Sequence, residues 1–197
     1  MSDKTPPYLL VTHIPFARLH SGEVIVDELW ARDLQGLVRS VGRVRVVAPE
    51  TDSDNLVWGP TATNLDDGGD LTFISLSRIQ SRRDCYKWIE NRQIIKREVR
   101  TATLVHSHNL FPPYLPLSYA HDLAVKLGKK TIFVIAEDFY DMLDWEWIRT
   151  SSSDRERKRR KKTLERIDRR VRKSARTASL SFMHTPAAVH RLSLIHI

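Results

Sequence analysis

The feature that most constrains this chain is an alternation. Six short runs of β-type residues, "YLLVT", "RVRVVAP", "LTFISL", "TLVHSH", "KTIFVIAED" and "ASLSFM", are separated by segments with helical spacing, except the second and third, which a polar loop joins. Strands alternating with helices cannot pair as hairpins. They need crossovers, which place them parallel in a sheet covered on both faces. The right-handed crossover rule then predicts an α/β, Rossmann-like, doubly wound parallel sheet of about six strands.

The helices follow from apolar periodicity. From Glu23, residues Val26, Leu29, Trp30, Leu34, Leu37, Val38 and Val41 recur at three- and four-residue steps, with Ser21 as the predicted N-cap. "SRRDCYKWIENRQIIKREVR" predicts a second helix with Tyr86, Ile89, Ile94 and Val99 inward. "YLPLSYAHDLAVKLG" predicts a third, closed by Gly128. Glu50 to Asp70, rich in Asp, Asn, Thr, Gly and Pro, is expected as an irregular surface loop. No internal repeat or linker divides the chain.

Composition removes several classes. An apolar share of 41% is too high for intrinsic disorder. No apolar run approaches the ~20 residues of a membrane-spanning helix, and "MSDKTPPYLL" is not a signal peptide. The single Cys85 suits a reducing compartment, so a cytoplasmic protein is expected. The first strand is not followed by the glycine pattern of a dinucleotide-binding turn or a P-loop, which argues against both.

Charge is localised. From Arg149 to Arg176 there are fourteen Lys or Arg against four Asp or Glu, whereas the whole chain carries +8; the remainder is slightly acidic. "DRERKRRKKTLERIDRRVRKSAR" reads as a helix with a narrow apolar stripe, Leu164, Ile167, Val171 and Ala175. Its cationic circumference is either a solvated face or a contact for anionic lipid through Arg159, Arg160, Lys161 and Lys162. No nucleic-acid partner is expected, because nothing resembles a recognition helix or a stacking platform.

In a doubly wound sheet, ligands bind beyond the carboxyl ends of the strands where strand order reverses. If the first and fourth predicted strands are neighbours, "HIPFARLHSG" and "HSHNLFPPY" face one crevice. His106 and His108 then project to the same side. His106 reads as either a satisfied core residue or part of the crevice, and His108 or Asn109 as a contact for a hydroxylated ligand. No third ligand is spaced to complete a metal site, so no metal is expected. Glu137 and Asp138, after the fifth strand, could accept hydrogen bonds from sugar hydroxyls, act as a base or cap a turn. Gly22 alone is a weak anion site, with Glu23 beside it repelling an anion. Trp145 and Trp147 suit either a core, stacking on a sugar or a membrane interface.

Together, "LLVTHIPF…SGEVIVDELWARDLQGL", "VRVVAPE", "LVHSHNLFPPYLPLSYAHDLAVKLGKKTIFVIAED" and "ARTASLSFMHTPAAVHRL" resemble the N-terminal, acceptor-side half of a family 4 type glycosyltransferase of the GT-B fold. The resemblance covers nearly the whole chain and rests on patterns rather than signatures. It implies a retaining transfer from a nucleotide sugar to a glycan or lipid-linked acceptor, without a metal or other cofactor. In such enzymes positive groups and helix-start amides stabilise the departing nucleotide diphosphate. It implies acceptor contacts from His13, His20, His108 and Asn109, a donor-phosphate loop at Ser21 and Gly22, and positions near the chemistry for Glu137 and Asp138. Many members carry a His at that last turn, where this chain has Ala136-Glu137-Asp138. By the same resemblance residues 1–191 form one lobe, and a donor-binding domain is expected beyond them. Such a lobe alone is expected to be inactive. The terminal "LSLIHI", Leu192 to Ile197, reads as a translated sequencing adapter, so a non-native tail is expected there. The alternative of another class is a stand-alone Rossmann-like binding or scaffolding protein docked on anionic membranes through the basic helix.

Overall fold

The computed structural model describes residues 7–52, 62–65, 69–79, 85–109, 115–135 and 148–183. Six strands form one sheet: β1 (Tyr8–Val11), β4 (Val44–Pro49), β6 (Leu71–Leu76), β7 (Leu104–His108), β8 (Lys130–Ile135) and β9 (Leu180–Met183). Their order is β6-β4-β1-β7-β8-β9, and every pairing is parallel. Counted along the chain, this is the 3-2-1-4-5-6 order of the Rossmann fold, with the reversal between β1 and β7. The α/β parallel fold is therefore as the alternation predicts.

Adjacent residues of each strand feed opposite cores. Val44, Val46 and Ala48 of β4 pack with Phe73 against α1 (Glu28–Val41), through Trp30, Ala31 and Leu34. Leu9 and Val11 of β1 pack with Val47 and Leu76 against α2 (Cys85–Thr101) and α3 (Leu115–Lys126), through Ile95, Val99, Leu117, Ala120 and Ala124. At the other edge, Phe133 and Ile135 of β8 meet Val171 and Ala175 of α4 (Asp154–Thr177). The apolar stripe read from the basic segment is thus its packed side. Gly128, at φ +65°, ends α3 as expected, a backbone region that L side chains rarely adopt.

Three expectations fail. The segment from Glu23 does not start a helix: Val24–Asp27 is strand β3, and α1 begins at Glu28 with Asp27 as its N-cap. The Asp27 carboxylate accepts from the amides of Leu29 at 2.9 Å and Trp30 at 3.4 Å. Val24 and Val26 are both fully buried, a two-residue period natural for the β-branched run Val24-Ile25-Val26. Ser21 is therefore not a cap; its hydroxyl donates to Glu23 at 2.9 Å.

The expected loop from Glu50 to Asp70 contains strand β5 (Ala62–Leu65). β5 joins β3 and β2 (Ala17–Arg18) in a small antiparallel sheet, ordered β2-β3-β5. On α2, Tyr86 and Ile89 face solvent at 56% and 60% exposure, and the inward positions are Ile95 and Val99 with partly buried Ile94. The helix turns through about 100° per residue, so the buried arc of Ile95 and Val99 leaves Ile89 on its flank and Tyr86 on the opposite side.

Candidate functional site at the strand-order reversal

β1 and β7 are neighbours, in the register Tyr8↔Leu104 to Leu10↔His106. The loops after them therefore meet at one rim. His13, two residues beyond β1, places its Nδ1 2.9 Å from Nε2 of His108, the last residue of β7. The two rings are edge to face, with centroids 4.8 Å apart. One residue pair deeper, Tyr8 Oη lies 2.6 Å from His106 Nδ1.

Local backbone geometry fixes this arrangement. The Thr12 amide donates to Val47 O at 3.0 Å, extending β1 along β4 before the chain turns. Thr12 Oγ1 then accepts from the Ile14 amide at 3.2 Å, a tight turn that carries His13 over the rim. Beyond it the Phe16 amide donates to Pro49 O at 3.1 Å, tying the loop to the end of β4. On the other side, the Asn109 amide donates to Val134 O at 3.1 Å and holds the end of β7 against β8.

Burial decides the charge state. It holds His106 down at about 4 and, together with the nearby charges of His13 and His106, His108 at about 3. Burial likewise lowers His13. It pushes the Tyr8 phenol up to about 12, so the phenol keeps its proton in its hydrogen bond with His106. Near neutral pH the pair is uncharged, and one ring must donate the shared hydrogen bond while the other accepts it. Whichever tautomer is present, the two outer nitrogens, His13 Nε2 and His108 Nδ1, comprise one donor and one acceptor. Neither makes another hydrogen bond among the described residues. Each ring directs its outer nitrogen away from the shared bond, so the donor and the acceptor serve separate hydroxyl groups. The pair is a poor base, because a conjugate acid with a pKa of about 3 cannot hold a proton at neutral pH.

The other sequence-stated positions separate from this pair. Asn109 is nearly buried beside His108. His20 is exposed in the turn of the β2–β3 hairpin, and no hydrogen bond or ring contact joins it to the pair. Ser21 and Gly22 lie in the same turn, where Gly22 has φ +90° and its amide donates to Leu19 O at 2.9 Å. They are not at a helix start, so the amide cluster and dipole expected to face donor phosphate are not there. Glu137, Asp138, Trp145 and Trp147 lie outside the described residues, as do Leu192 to Ile197.

Two polar clusters escaped sequence reading. One is the Tyr8–His106 bond, since Tyr8 reads as an ordinary apolar strand residue. The other is Asn91 of α2, fully buried, which donates to Ser77 O and accepts from the Ser77 amide, both at 2.8 Å. Among the described residues no group of three or more His, Cys, Asp or Glu is placed to hold a metal. None of the described helices is long and apolar enough to cross a membrane. No protein-family model matches the chain, and no curated protein does.

Proposed function

We propose that this lobe is the acceptor side of a glycosyltransferase, and that the His13–His108 pair grips hydroxyls of the acceptor. One observation carries the reading: a neutral imidazole pair, 2.9 Å apart, sits at the carboxyl ends of β1 and β7, where the strand order reverses. Neutral donor and acceptor groups at a rim suit an uncharged polyhydroxyl ligand better than an anion, which would seek cationic groups or free amides. The first strand also lacks a glycine-rich turn. The sugar nucleotide is accordingly held by a second lobe, with transfer occurring between the two.

In this scheme the imidazoles orient the acceptor oxygen and do not deprotonate it. Their depressed basicity assigns the proton to another group, for which Glu137 and Asp138 are the positional candidates. The product is a glycan or glycolipid extended by one sugar, made without a metal.

Saturation-transfer NMR of the chain with methyl glucoside, methyl mannoside, methyl galactoside and octyl glucoside tests the binding half of the proposal. At least one glycoside is expected to receive saturation. The signal is expected to fall about tenfold in His108→Ala, a loss of ~1.5 kcal/mol, typical of a hydrogen bond to a sugar hydroxyl. Absence of transfer to every glycoside, or equal transfer with His108→Ala, contradicts it.

A further inference from the structure

Helix α4 runs for 24 residues, about 36 Å. Its buried side chains, Leu164, Val171, Ser174 and Ala175, all lie beyond the tenth residue, so the first ten residues add no buried side chain to the lobe. Those residues nevertheless hold the densest positive charge in the chain. Arg157 pairs with Asp154 at 3.4 Å, and Arg160 with Glu156 at 2.7 Å. Arg155, Lys158, Arg159, Lys161 and Lys162 are exposed and have no ion pair among the described residues.

This pattern opposes the helix that carries it. Arg155 with Arg159, Lys158 with Lys162, and Lys162 with Arg166 are like charges at four-residue spacing, each unfavourable in an isolated helix. Packing gives no return for that repulsion in the first turns. An apposed anionic surface would relieve it. Between Arg155, Lys158, Arg159, Lys161, Lys162 and Glu165 lies an open trough of about 570 Å³, accessible to phosphate groups.

We infer that the outer face of α4 docks this protein on an anionic lipid surface through Arg155, Lys158, Arg159, Lys161 and Lys162. Charge complementarity selects the occupant. The face lies opposite the packed stripe, and the remainder of the chain is slightly acidic, so the positive field points one way. The trough is lined only by charged side chains, without an aromatic for base stacking or an amide for base-edge recognition. A lipid surface asks only for charge, and each basic residue near it strengthens partition about fivefold. The inference rests on α4 alone and goes beyond the sugar reading.

Co-sedimentation of the full chain with vesicles tests it. Binding is expected to phosphatidylcholine vesicles containing phosphatidylglycerol and not to phosphatidylcholine alone. It should weaken steeply as salt rises above about 0.1 M, where charges are screened beyond ~10 Å. The combined variant R155Q/K158Q/R159Q/K162Q is expected to lose about 10²–10³-fold in partition. Gln is a good helix former, so circular dichroism should be unchanged. Should that variant not fold, the pairs R155Q/R159Q and K158Q/K162Q are each expected to lose roughly 30-fold. R39Q/K96Q, the same kind of neutralisation on α1 and α2, is expected to leave partition unchanged. Four outcomes overturn the inference: no sedimentation with anionic vesicles at low salt; equal loss from R39Q/K96Q; displacement by millimolar inorganic phosphate, which would mark a free-phosphate site; or tighter binding to a duplex oligonucleotide than to the vesicles.

Discussion

Taking the chain from about pH 7.5 to about pH 5 is expected to remove roughly 3–4 kcal/mol of folding stability, with most of the loss tracing to two imidazoles. His106 and His108 are held at about 4 and about 3 in the folded chain, against 6.5 for a free imidazole. Well above pH 6.5 neither the folded nor the unfolded state binds protons at these positions, so they contribute no pH dependence there. Below 6.5 the unfolded chain takes up protons that the folded chain excludes. Stability therefore falls with pH, beginning at 6.5 and continuing towards the folded-state values. At pH 5 each group is ~1.5 pH units below its free value, worth about 2 kcal/mol. Carboxylates titrate mainly below this window, so the histidine contribution stands apart. Urea midpoints at the two pH values check the result. His108→Gln keeps a polar partner for His13 and is expected to remove about 2 kcal/mol of that dependence, while His13 and His121, also lowered by burial, keep theirs. An unchanged slope in that variant would show that His108 titrates normally.

The second large effect belongs to Asn91. Its amide caps both backbone groups of Ser77, immediately beyond β6, from a fully buried position on α2. Asn91→Leu removes both bonds and leaves the Ser77 amide and carbonyl without their partner at a partly buried position. A buried unsatisfied polar group costs about 1–3 kcal/mol, so a loss of roughly 2–5 kcal/mol is expected. Hydrogen exchange should locate the damage: the Ser77 amide loses its acceptor and should exchange fast, whereas β1 and β7 amides change only with global stability. Asn91→Asp keeps the acceptor for the Ser77 amide but loses the donor to Ser77 O. It is expected to restore Ser77 amide protection while remaining destabilised. A loss below ~1 kcal/mol in Asn91→Leu would place water or another group on Ser77.

How far the sequence carried this picture depends on the scale of the signal. The parallel sheet was legible because most of its strands are short β-branched or apolar runs next to a helix, although β5 rather than a helix lies between β4 and β6 in the chain. The adjacency of β1 and β7 followed from general topology, and with it the meeting of the loops at His13 and His108. The small sheet β2-β3-β5 was not legible. Val26, Leu29 and Trp30 fit a helical period, which hid the two-residue period of Val24 and Val26. Ala62–Leu65 lies among Asp, Asn and Gly that signal a loop, and it is a strand because β3 offers it a partner. Ser21 was read as the cap, and the true cap, Asp27, is set by the end of β3. Asn91 was hidden for a related reason: on a charged amphipathic helix one more polar residue looks solvated. Its burial depends on Ser77, fourteen residues earlier, which no local pattern connects to it.

The central claim is that β1 and β7 bring together a neutral imidazole pair able to grip sugar hydroxyls. Long-range ¹H–¹⁵N spectra of the histidine rings test it most directly. For His13 and His108 they are expected to show one protonated and one bare nitrogen on each ring near pH 7.5, no titration of His108 down to about pH 5.5, and shifts at saturation with whichever methyl glycoside binds. Two independent rings titrating near 6.5, or ring signals unmoved by a bound glycoside, would contradict it.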